Sequence, residues 1–376
     1  MEFDMSKNEL VVIIGAGLSG LRIASLLTAQ GISCSVLEAR DRIGGRVLSM
    51  EVAEKRELGR FDLGPTWFWP RYERAITNLV KELGIKTFEQ YNEGLMLSER
   101  SRNEPAQQYR LPEGAVERSF RFIGGAKSLI DAIAATLPPG TVRLNTKVTS
   151  IRQDEHRTLA LEVEGQRSSI RASAVISTLP PRIVARNISF WPELSTDLIA
   201  SMVNKPTWMA AQAKAVVVYE RPFWREKGLF GLVSSWAGPL QEIHDASPET
   251  GAGALFGFFG LPAKSRQELG EERVLKLVVE QLTRLFGPSA ENVSALLYKD
   301  WSSDPETAVL EDTEPLRNYP EYGPLAGTES WGKRLIFAGT ETDNEHGGHL
   351  EGALRSAERA VSELIGLFKT NIRGSI

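Results

Sequence analysis

A glycine-rich turn between two apolar runs constrains the fold of this chain more than any other feature. Residues 10–41 read LVVIIGAGLSGLRIASLLTAQGISCSVLEARD, in which an apolar run is followed by GAGLSG, a segment with helical apolar spacing, and a second apolar run that ends at Glu38. This order is typical of a βαβ unit, whose two strands are parallel and buried. The sequence therefore predicts an α/β fold built on a parallel sheet.

The spacing of the glycines in this turn predicts a dinucleotide site. Gly15 permits the tight turn, Gly17 admits a pyrophosphate to the helix N-terminus, and Gly20 lets the helix pack closely on the strand. Glu38 stands where an acidic side chain accepts hydrogen bonds from ribose hydroxyls. A tight turn that binds nothing is the alternative, and the motif alone does not choose between a nicotinamide and a flavin cofactor.

Composition excludes several classes of function. The chain has 376 residues and a formal net charge of −4, so it has no excess of basic charge for binding nucleic acid. The longest apolar run, GALFGFFGL at 253–261, is far shorter than the ~18 residues of a membrane span. The start of the sequence, MEFDMSKNEL, lacks the basic and apolar parts of a secretion signal, and Cys34 is the only cysteine. We therefore expect a cytoplasmic protein without nucleic-acid or membrane partners.

A second glycine pair follows Glu38. The stretch EARDRIGGRVLSM contains Gly44, Gly45 and Arg46, and an arginine at this point can reach the pyrophosphate from the side opposite the helix. A surface turn with a solvated arginine is the alternative. The stretch resembles the N-terminal signature of the flavin-containing amine oxidase family, and FDLGPTWF at 61–68 resembles the segment that passes beneath the flavin ring in that family.

The resemblance continues near the C-terminal end of the sequence. FAGTETDNEHGGHLEGALRSAERA, at 337–360, is similar to the family's second flavin motif, and VRLNTKVTSI contains Val148 where the family's strand contacts adenine. The resemblance implies that the backbone at His349 and Leu350 approaches the pyrimidine end of the ring, and that a helix from Glu351 directs its positive end at the flavin. Close approach of the backbone to the cofactor would explain the dense glycines.

Taken over nearly the whole chain, the resemblance implies FAD as the cofactor. We expect FAD to be bound without a covalent bond, because Cys34 belongs to the first βαβ unit, remote from the flavin ring in this fold. The predicted cofactor-binding residues are Gly15, Ala16, Gly17, Leu18, Ser19, Gly20, Glu38, Ala39, Arg40, Gly45, Arg46, Gly64, Pro65, Thr66, Val148, Gly339, Thr340, Glu341, His349 and Leu350.

The catalytic candidates come from the middle of the chain. AKAVVVYERPFWREKG, at 213–228, resembles the family's strand whose lysine holds a water against flavin N5, and that residue is Lys214 here. A lone lysine at the start of a strand is otherwise usually solvated. YKDW places Trp301 where the family packs an aromatic residue near the flavin, although core packing is the alternative. The predicted catalytic residues are Lys214, Trp301 and His349, and the predicted substrate contacts are Trp67, Trp69, Trp301 and His349.

The chain departs from the family at the substrate site. Many monoamine oxidases hold the amine between two tyrosines; His349 occupies one of these positions, and counting from Trp301 puts the other near Glu311. Members that oxidise amino acids often carry an arginine where this chain has Trp67. The resemblance thus implies a simple amine, leaves the make-up of the amine pocket open, and implies an open entrance because residues 71–121 look short for the family.

The predicted architecture is a Rossmann-like, glutathione-reductase-like FAD domain interleaved with an α+β substrate domain that is richer in aromatic residues and irregular loops. The predicted boundaries are 1–70, 122–200 and 325–376 for the FAD domain and 71–121 and 201–324 for the substrate domain. The implied reaction is oxidation of an amine to an imine with dioxygen as acceptor and hydrogen peroxide as product.

The chemistry of this reaction belongs largely to the cofactor, so no strong general base is required if the amine arrives deprotonated. The histidines, at 156, 244, 346 and 349, show no metal or triad spacing, so no metal site is predicted. A flavin desaturase, dehydrogenase or isomerase on the same fold and a protein that binds FAD without turnover are the alternatives.

Overall fold

A computed structural model describes residues 10–373 except 156, 315, 317, 326 and 328–330, with side chains described to residue 369. His156 and the outermost parts of the predicted FAD domain, residues 1–9 and 374–376, lie outside the described residues.

Runs of one to five strands are separated by helices along the described chain. The strands are β1 (Val11–Ile14), β2 (Cys34–Leu37), β3 (Ser49–Glu51), β4 (Arg60–Asp62), β5 (Thr87–Glu89), β6 (Leu95–Glu99), β7 (Gln107–Tyr109), β8 (Phe120–Phe122), β9 (Val142–Arg143), β10 (Val148–Gln153), β11 (Leu159–Val163), β12 (Ile170–Ala172), β13 (Ala174–Ser177), β14 (Ser189–Trp191), β15 (Ala213–Tyr219), β16 (Leu229–Ser235), β17 (Leu240–Asp245), β18 (Gly253–Phe259), β19 (Ala295–Asp300) and β20 (Leu335–Phe337). The helices are α1 (Leu18–Ala29), α2 (Arg74–Glu82), α3 (Lys127–Ala134), α4 (Pro181–Asn187), α5 (Thr196–Val203), α6 (Phe223–Glu226), α7 (Ala263–Leu269), α8 (Glu271–Phe286) and α9 (Leu350–Arg373).

The βαβ unit predicted from the glycine-rich turn is confirmed. β1 and β2 pair in parallel, with Val11 opposite Cys34, and α1 connects them. The full sheet has the order β20-β13-β1-β2-β9, and each neighbouring pair is parallel. β1 consists of four buried apolar residues, as a strand covered on both faces requires.

Each face of the parallel sheet carries a separate part of the core. On one face, apolar side chains of α1, α2, α3 and α9 pack together with Val11 and Ile13. On the other face, Val12 and Ile14 pack against α4, α5 and the small sheet of order β12-β11-β10-β14. Alternate residues of β1 therefore enter opposite cores, which follows from the two-residue period of a strand.

A second large sheet has the order β19-β15-β18-β17-β16-β6-β7. Its strands β6 and β7 come from the predicted segment 71–121, and the others come from 201–324, so both segments build one sheet. The prediction of irregular loops in 201–324 is wrong for much of that range, because apolar runs such as 253–259 form buried strands. The predicted domain boundaries themselves stay a prediction.

A side chain of helix α9 caps the N-terminal end of helix α2. The buried carboxylate of Glu351, in the first turn of α9, accepts hydrogen bonds from the amides of Ala75 and Ile76 at 2.9 Å each. These amides lack partners within α2, so Glu351 caps α2 from 275 residues or more away in the chain. α9 begins at Leu350, one residue before its predicted start.

None of the helices in the described part of the chain combines the length and the apolar character that crossing a membrane demands.

Candidate active site

A deep cavity opens where the carboxyl ends of the parallel strands meet the second large sheet. It holds about 1530 Å³ of space free of protein atoms, its mouth included. The residues that follow β1, β2, β13 and β20, namely Gly15, Glu38, Thr178 and Gly339 (the last after Ala338), all line it. Ligands of open α/β sheets bind at this edge. The walls come from parts of residues 15–19, 38–47, 63–69, 178–180, 208–214, 301–307, 339–340 and 348–353.

The three glycines of the first turn have separate structural roles. Gly15 has a φ of +101°, which is strained for any residue with a side chain. A Cβ on Gly20 would lie 1.9 Å from the Gly15 carbonyl oxygen, so only glycine lets α1 approach the turn. A Cβ on Gly17 would meet no protein atom within 4 Å, because it would point into the cavity that Gly17 lines. Gly17 thus leaves room for a ligand beside the N-terminus of α1.

Glu38 is fixed at the wall of the cavity with 3% of its surface exposed. One carboxylate oxygen accepts from the Ala16 amide at 2.7 Å, and the other accepts from the Arg40 amide at 2.9 Å. Arg40 in turn donates to Asp304 at 2.6 Å. The carboxylate is therefore held in place before any ligand binds.

The second glycine pair packs against the first turn, as a two-sided phosphate site requires. The Gly44 amide donates to the Ala16 carbonyl at 2.8 Å, and a Cβ on Gly45 would lie 3.3 Å from the Gly17 Cα. Arg46 lines the cavity next to them and pairs with Glu341 through two hydrogen bonds of 2.6 and 3.0 Å. The alternative of a solvated surface turn does not describe this stretch.

Most of the predicted cofactor-binding residues line the cavity, and a few do not. Ala39 and Val148 line a smaller adjoining cavity that shares Glu38 and Arg40 with the main one. Ala16, Gly20 and Glu341 line neither cavity; Glu341 is completely buried, since a buried carboxylate needs a cation and Arg46 supplies it. The others that line the main cavity are Leu18, Ser19, Gly64, Pro65, Thr66, Thr340, His349 and Leu350.

Lys214 is buried and reaches the segment that was predicted to pass beneath a flavin. Its exposed fraction is 3%, and its Nζ donates to the Gly64 carbonyl at 3.0 Å and to Thr66 Oγ1 at 2.6 Å. Burial lowers the pKa of Lys214 from its ordinary value to about 7, an effect that nearby Asp62 partly opposes. Nζ lies 3.9 Å from the centroid of the Phe256 ring, and this cation–π contact favours the charged form of Lys214. The loss of hydration on burial disfavours the charged form more strongly, so the pKa is lowered.

Strand alternation explains why Lys214 faces the cavity. Ala213, Ala215 and Val217 pack into the core under α8, so Lys214, Val216 and Val218 face the opposite side of the sheet. Phe258 lies directly across from Lys214 on β18 and also lines the cavity.

Aromatic side chains surround the part of the cavity beyond Lys214. Trp67 donates from Nε1 to Gln90 at 2.9 Å, and Trp301 donates to the Leu63 carbonyl at 2.9 Å, so both rings are fixed by hydrogen bonds. Trp69 packs 6.3 Å from Trp67, measured between ring centroids. Trp208 and Phe258 complete this aromatic wall.

His349 lines the cavity and has a partner that the sequence did not indicate. Its Nδ1 lies 3.0 Å from Oε1 of Glu73, a buried residue just before α2, and its ring centroid lies 6.0 Å from that of Trp69. The imidazole side chain is 38% exposed. The ring therefore stays at the cavity wall rather than turning into the core.

The glycines around His349 are explained by neighbouring protein groups. A Cβ on Gly347 would lie 2.3 Å from the Tyr322 ring, and one on Gly348 would lie 2.6 Å from the Trp208 ring. A Cβ on Gly352 would lie 2.1 Å from the His346 carbonyl oxygen. Packing between protein segments thus accounts for the glycine density that the sequence analysis assigned to approach of a cofactor.

Comparison with known proteins adds to this geometry. Residues 98–365 match the sequence profile described as flavin containing amine oxidoreductase, and residues 13–83 match that of an NAD(P)-binding Rossmann-like domain. The first of these covers well over half of the chain. The chain belongs to the flavin-containing amine oxidoreductase family.

Relatives within this family align over almost their whole length. Putrescine oxidase from Kocuria rosea is 26% identical, with 95% of each chain covered. The solved structure of a putrescine oxidase bound to putrescine superimposes with a TM-score of 0.79 at 22% identity, over 95% of this chain and 99% of that one. Cyclohexylamine oxidase from Brevibacterium oxydans IH-35A superimposes equally well, with a TM-score of 0.79 at 19% identity, over 96% and 99%. At such identities the two structural likenesses establish the fold.

Family membership confirms the function predicted from the sequence in its general form. The protein is a flavin-dependent oxidoreductase that acts on amines and takes FAD as cofactor. The cavity fits that cofactor, because it runs without interruption from the open side of Gly17 and the fixed Glu38 carboxylate to Lys214 and the aromatic wall.

The residue near which the resemblance placed the other tyrosine position lies outside the cavity. Counting from Trp301 placed this position near Glu311, which pairs with Arg186 at the surface and does not line the cavity. Trp208, Phe258 and Glu73 are among the site residues that sequence reasoning missed. Phe258 could have been found from the alternation of GALFGFF on a strand next to Lys214, whereas no local pattern marks Trp208 or Glu73.

Proposed function

We propose that this enzyme oxidises a primary monoamine with an apolar body to the imine, uses dioxygen as the acceptor and releases hydrogen peroxide. The observation that carries the proposal is the position of Lys214: a buried ammonium group on the wall of the cofactor cavity, held by Gly64 and Thr66. Burying a lysine lowers the stability of the folded protein. Buried groups with a perturbed pKa cluster at functional sites, which favours a role for Lys214 in the reaction.

The predicted residues would hold FAD along the cavity. Glu38 would accept from the ribose hydroxyls, the α1 N-terminus and Arg46 would face the phosphates, and the segment of Gly64, Pro65 and Thr66 would lie along the ring. Bound FAD supplies the acceptor for a hydride from the carbon next to nitrogen and then passes electrons to dioxygen. The chain itself binds the amine, orients it and excludes water from the site.

The aromatic wall supports an apolar monoamine. Trp67, Trp69 and Trp208 offer rings that pack on a hydrocarbon body and on an amino group. Among the described lining residues, the acidic ones are Glu38 and Glu306, and both lie with Arg40 at the other end. The second ammonium of a diamine would therefore have no carboxylate among the described lining residues of the aromatic part.

An amino acid also fits poorly. A carboxylate in the substrate would need an arginine, and the two described arginines that line the cavity, Arg40 and Arg46, are already paired with Asp304 and Glu341. Trp67 occupies the position at which the resemblance implies an arginine in family members that oxidise amino acids.

A panel of amines tests this proposal. We expect the kcat/KM for cyclohexylamine or 2-phenylethylamine, measured as peroxide release, to exceed that for putrescine by about tenfold or more, because an unpaired ammonium in an apolar site costs at least about 1.4 kcal/mol. L-Leucine should give no peroxide. Anaerobic bleaching without peroxide release in air would point instead to a dehydrogenase or desaturase, and a protein that no amine bleaches would contradict the proposal.

The cofactor should be bound without a covalent bond. Cys34 lies at the start of β2, contacts the Ala24 carbonyl and Thr28, and does not line the cavity. After precipitation with trichloroacetic acid, we expect the yellow colour in the supernatant. Colour that remains in the pellet would reveal a link to another side chain.

We also retain the cytoplasm as the proposed location. The single cysteine and the absence of any spanning helix in the described chain are compatible with it.

A further inference from the structure

We propose that His349 and Glu73 together take up the proton that a cationic amine carries into the cavity. The inference rests on the proposed function, since it concerns how the amine of that reaction becomes neutral. His349 would be the proton acceptor and Glu73 the residue that positions it.

The hydrogen bond between the two side chains fixes the imidazole. Glu73 Oε1 lies 3.0 Å from His349 Nδ1, and a carboxylate can only accept, so Nδ1 carries the proton. The other ring nitrogen, Nε2, is then an acceptor. None of the described residues supplies a hydrogen-bond partner for Nε2, and the ring lines the cavity. Its lone pair is available to a ligand there.

Glu73 is buried and accepts two hydrogen bonds. Its side chain is 4% exposed and accepts from the Trp69 amide at 2.8 Å besides His349, and none of the described lysines or arginines pairs with it. A buried carboxylate without a cation is unfavourable. A proton taken up at Nε2 would give this carboxylate a cationic partner across the 3.0 Å contact.

The amine needs such an acceptor near neutral pH. A primary alkylammonium group resembles a lysine side chain, with a pKa of about 10.4, so at pH 7.5 only about one molecule in a thousand is neutral. In the proposed step, an N–H bond of the ammonium breaks and its electron pair stays on the amine nitrogen. A new N–H bond forms at His349 Nε2, and no electrons pass to any other group.

Other charged and titratable groups surround His349 and are already engaged. Glu351, on the helix that follows, accepts from two amides of α2. Tyr319 donates to the Gly347 carbonyl, and Asp343 accepts from the backbone amide of His346 at 2.7 Å and from Arg355 at 3.0 Å. Lys214 lines the same cavity and changes charge at about pH 7, so it is the competing acceptor that an experiment must separate.

The test is the pH dependence of anaerobic reduction of the FAD-loaded enzyme by cyclohexylamine in a stopped-flow instrument. The quantity measured is kred/Kd, the rate constant for flavin reduction divided by the dissociation constant of the amine. For wild type, we expect a plateau in which kred/Kd changes by less than about threefold from pH 9.5 down to 7.5, because the bound ammonium ion can still be deprotonated in the cavity. For H349F, we expect a fall of about tenfold per pH unit, which is about a hundredfold over this range, because only the free neutral amine can react.

E73Q examines the positioning role. The glutamine can accept the Trp69 amide only with its carbonyl oxygen, which turns its NH₂ group toward Nδ1 and moves the imidazole proton to Nε2. We therefore expect E73Q to lose the plateau although His349 is still present. E117Q removes a carboxylate that pairs with Arg71 outside the cavity and should keep the wild-type profile.

The outcomes separate this inference from the proposed function. If amines bleach the wild type but H349F and E73Q keep its plateau, the dyad is not the acceptor. If K214M loses the plateau and H349F keeps it, Lys214 is the acceptor and the inference is overturned. If no amine reduces the wild-type flavin, the proposed function itself fails. Unchanged visible spectra and melting temperatures of the variants confirm that the comparison concerns folded, FAD-loaded enzyme.

Discussion

Replacing Lys214 by methionine will slow the reaction of the reduced enzyme with dioxygen by about a hundredfold or more, the typical cost of removing one preorganised donor from a closed site. Anaerobic reduction by an amine should change by less than about threefold, because the residue acts in the other half-reaction. Stopped-flow measurement of the two half-reactions gives both rates separately.

The surroundings of Lys214 supply the reason. Two of the three Nζ donor directions are used by the Gly64 carbonyl and Thr66 Oγ1, which leaves one for water or dioxygen in the cavity. Methionine has a similar length, packs in the same apolar surroundings and offers no N–H donor. The substitution therefore removes the donor with little change of shape.

The oxidative half-reaction should also depend on pH in wild type and not in K214M. Burial lowers the pKa of Lys214 to about 7, so the group is cationic below that pH and neutral above it. Negative charge builds up as dioxygen accepts electrons, and a nearby cation stabilises it. Reoxidation should thus be faster on the acid side of pH 7 and slow as the pH rises through this value.

Lys299 offers a matched control. It lies directly opposite Lys214 on β19 and pairs with Asp304 at 2.7 Å, and it does not line the cavity. K299M should leave reoxidation unchanged. Equal slowing of both half-reactions by K214M would assign Lys214 to structure, and loss of FAD from this variant would do the same.

Gly17→Val should give a folded protein that is purified without its yellow cofactor. Gly17 has a φ of −72°, which valine adopts, and a Cβ at this position meets no protein atom within 4 Å. The added side chain would occupy the space beside the α1 N-terminus, where the pyrophosphate must approach the backbone. Visible absorbance reports FAD content, and far-UV circular dichroism reports the fold.

Substitutions at two other glycines serve as controls for Gly17→Val. Gly366→Val, in α9, also meets no atom within 4 Å but does not line the cavity, so that variant should keep FAD. Gly20→Ala would place its Cβ 1.9 Å from a backbone oxygen, so that variant should lose folded protein as well as cofactor. A Gly17→Val protein that binds FAD as wild type does would show that the cofactor does not approach this turn.

The parts of the fold that sequence reasoning predicted correctly depend on local patterns. The βαβ unit follows from apolar periodicity and glycine spacing within about thirty residues of sequence, and the structure pairs β1 with β2 as expected. The resemblance to the family placed Lys214 on a strand and a helix after the second flavin motif, and both elements are present, with an error of one residue at the start of α9.

What sequence reasoning missed arises from contacts between distant segments. Glu73 meets His349 across 276 residues, and Arg46 neutralises Glu341 across 295, and neither pairing leaves a periodic signal. Trp208 reaches the cavity because Gly348 lacks a side chain and admits its ring. Such partners are chosen by burial and charge balance in three dimensions, which a linear pattern does not contain.

The strand order of the parallel sheet determines how much of the chain must be synthesised before the cavity can form. β20, at Leu335–Phe337, is hydrogen-bonded to β13, and α9 follows it, so the cavity edge at Gly339 and His349 exists only once these late segments have left the ribosome. Until then β13 is an unpaired edge, and the apolar face that α9 covers is open to solvent. We therefore expect a nascent chain paused before residue 335 to lack the complete cavity and to expose this apolar face.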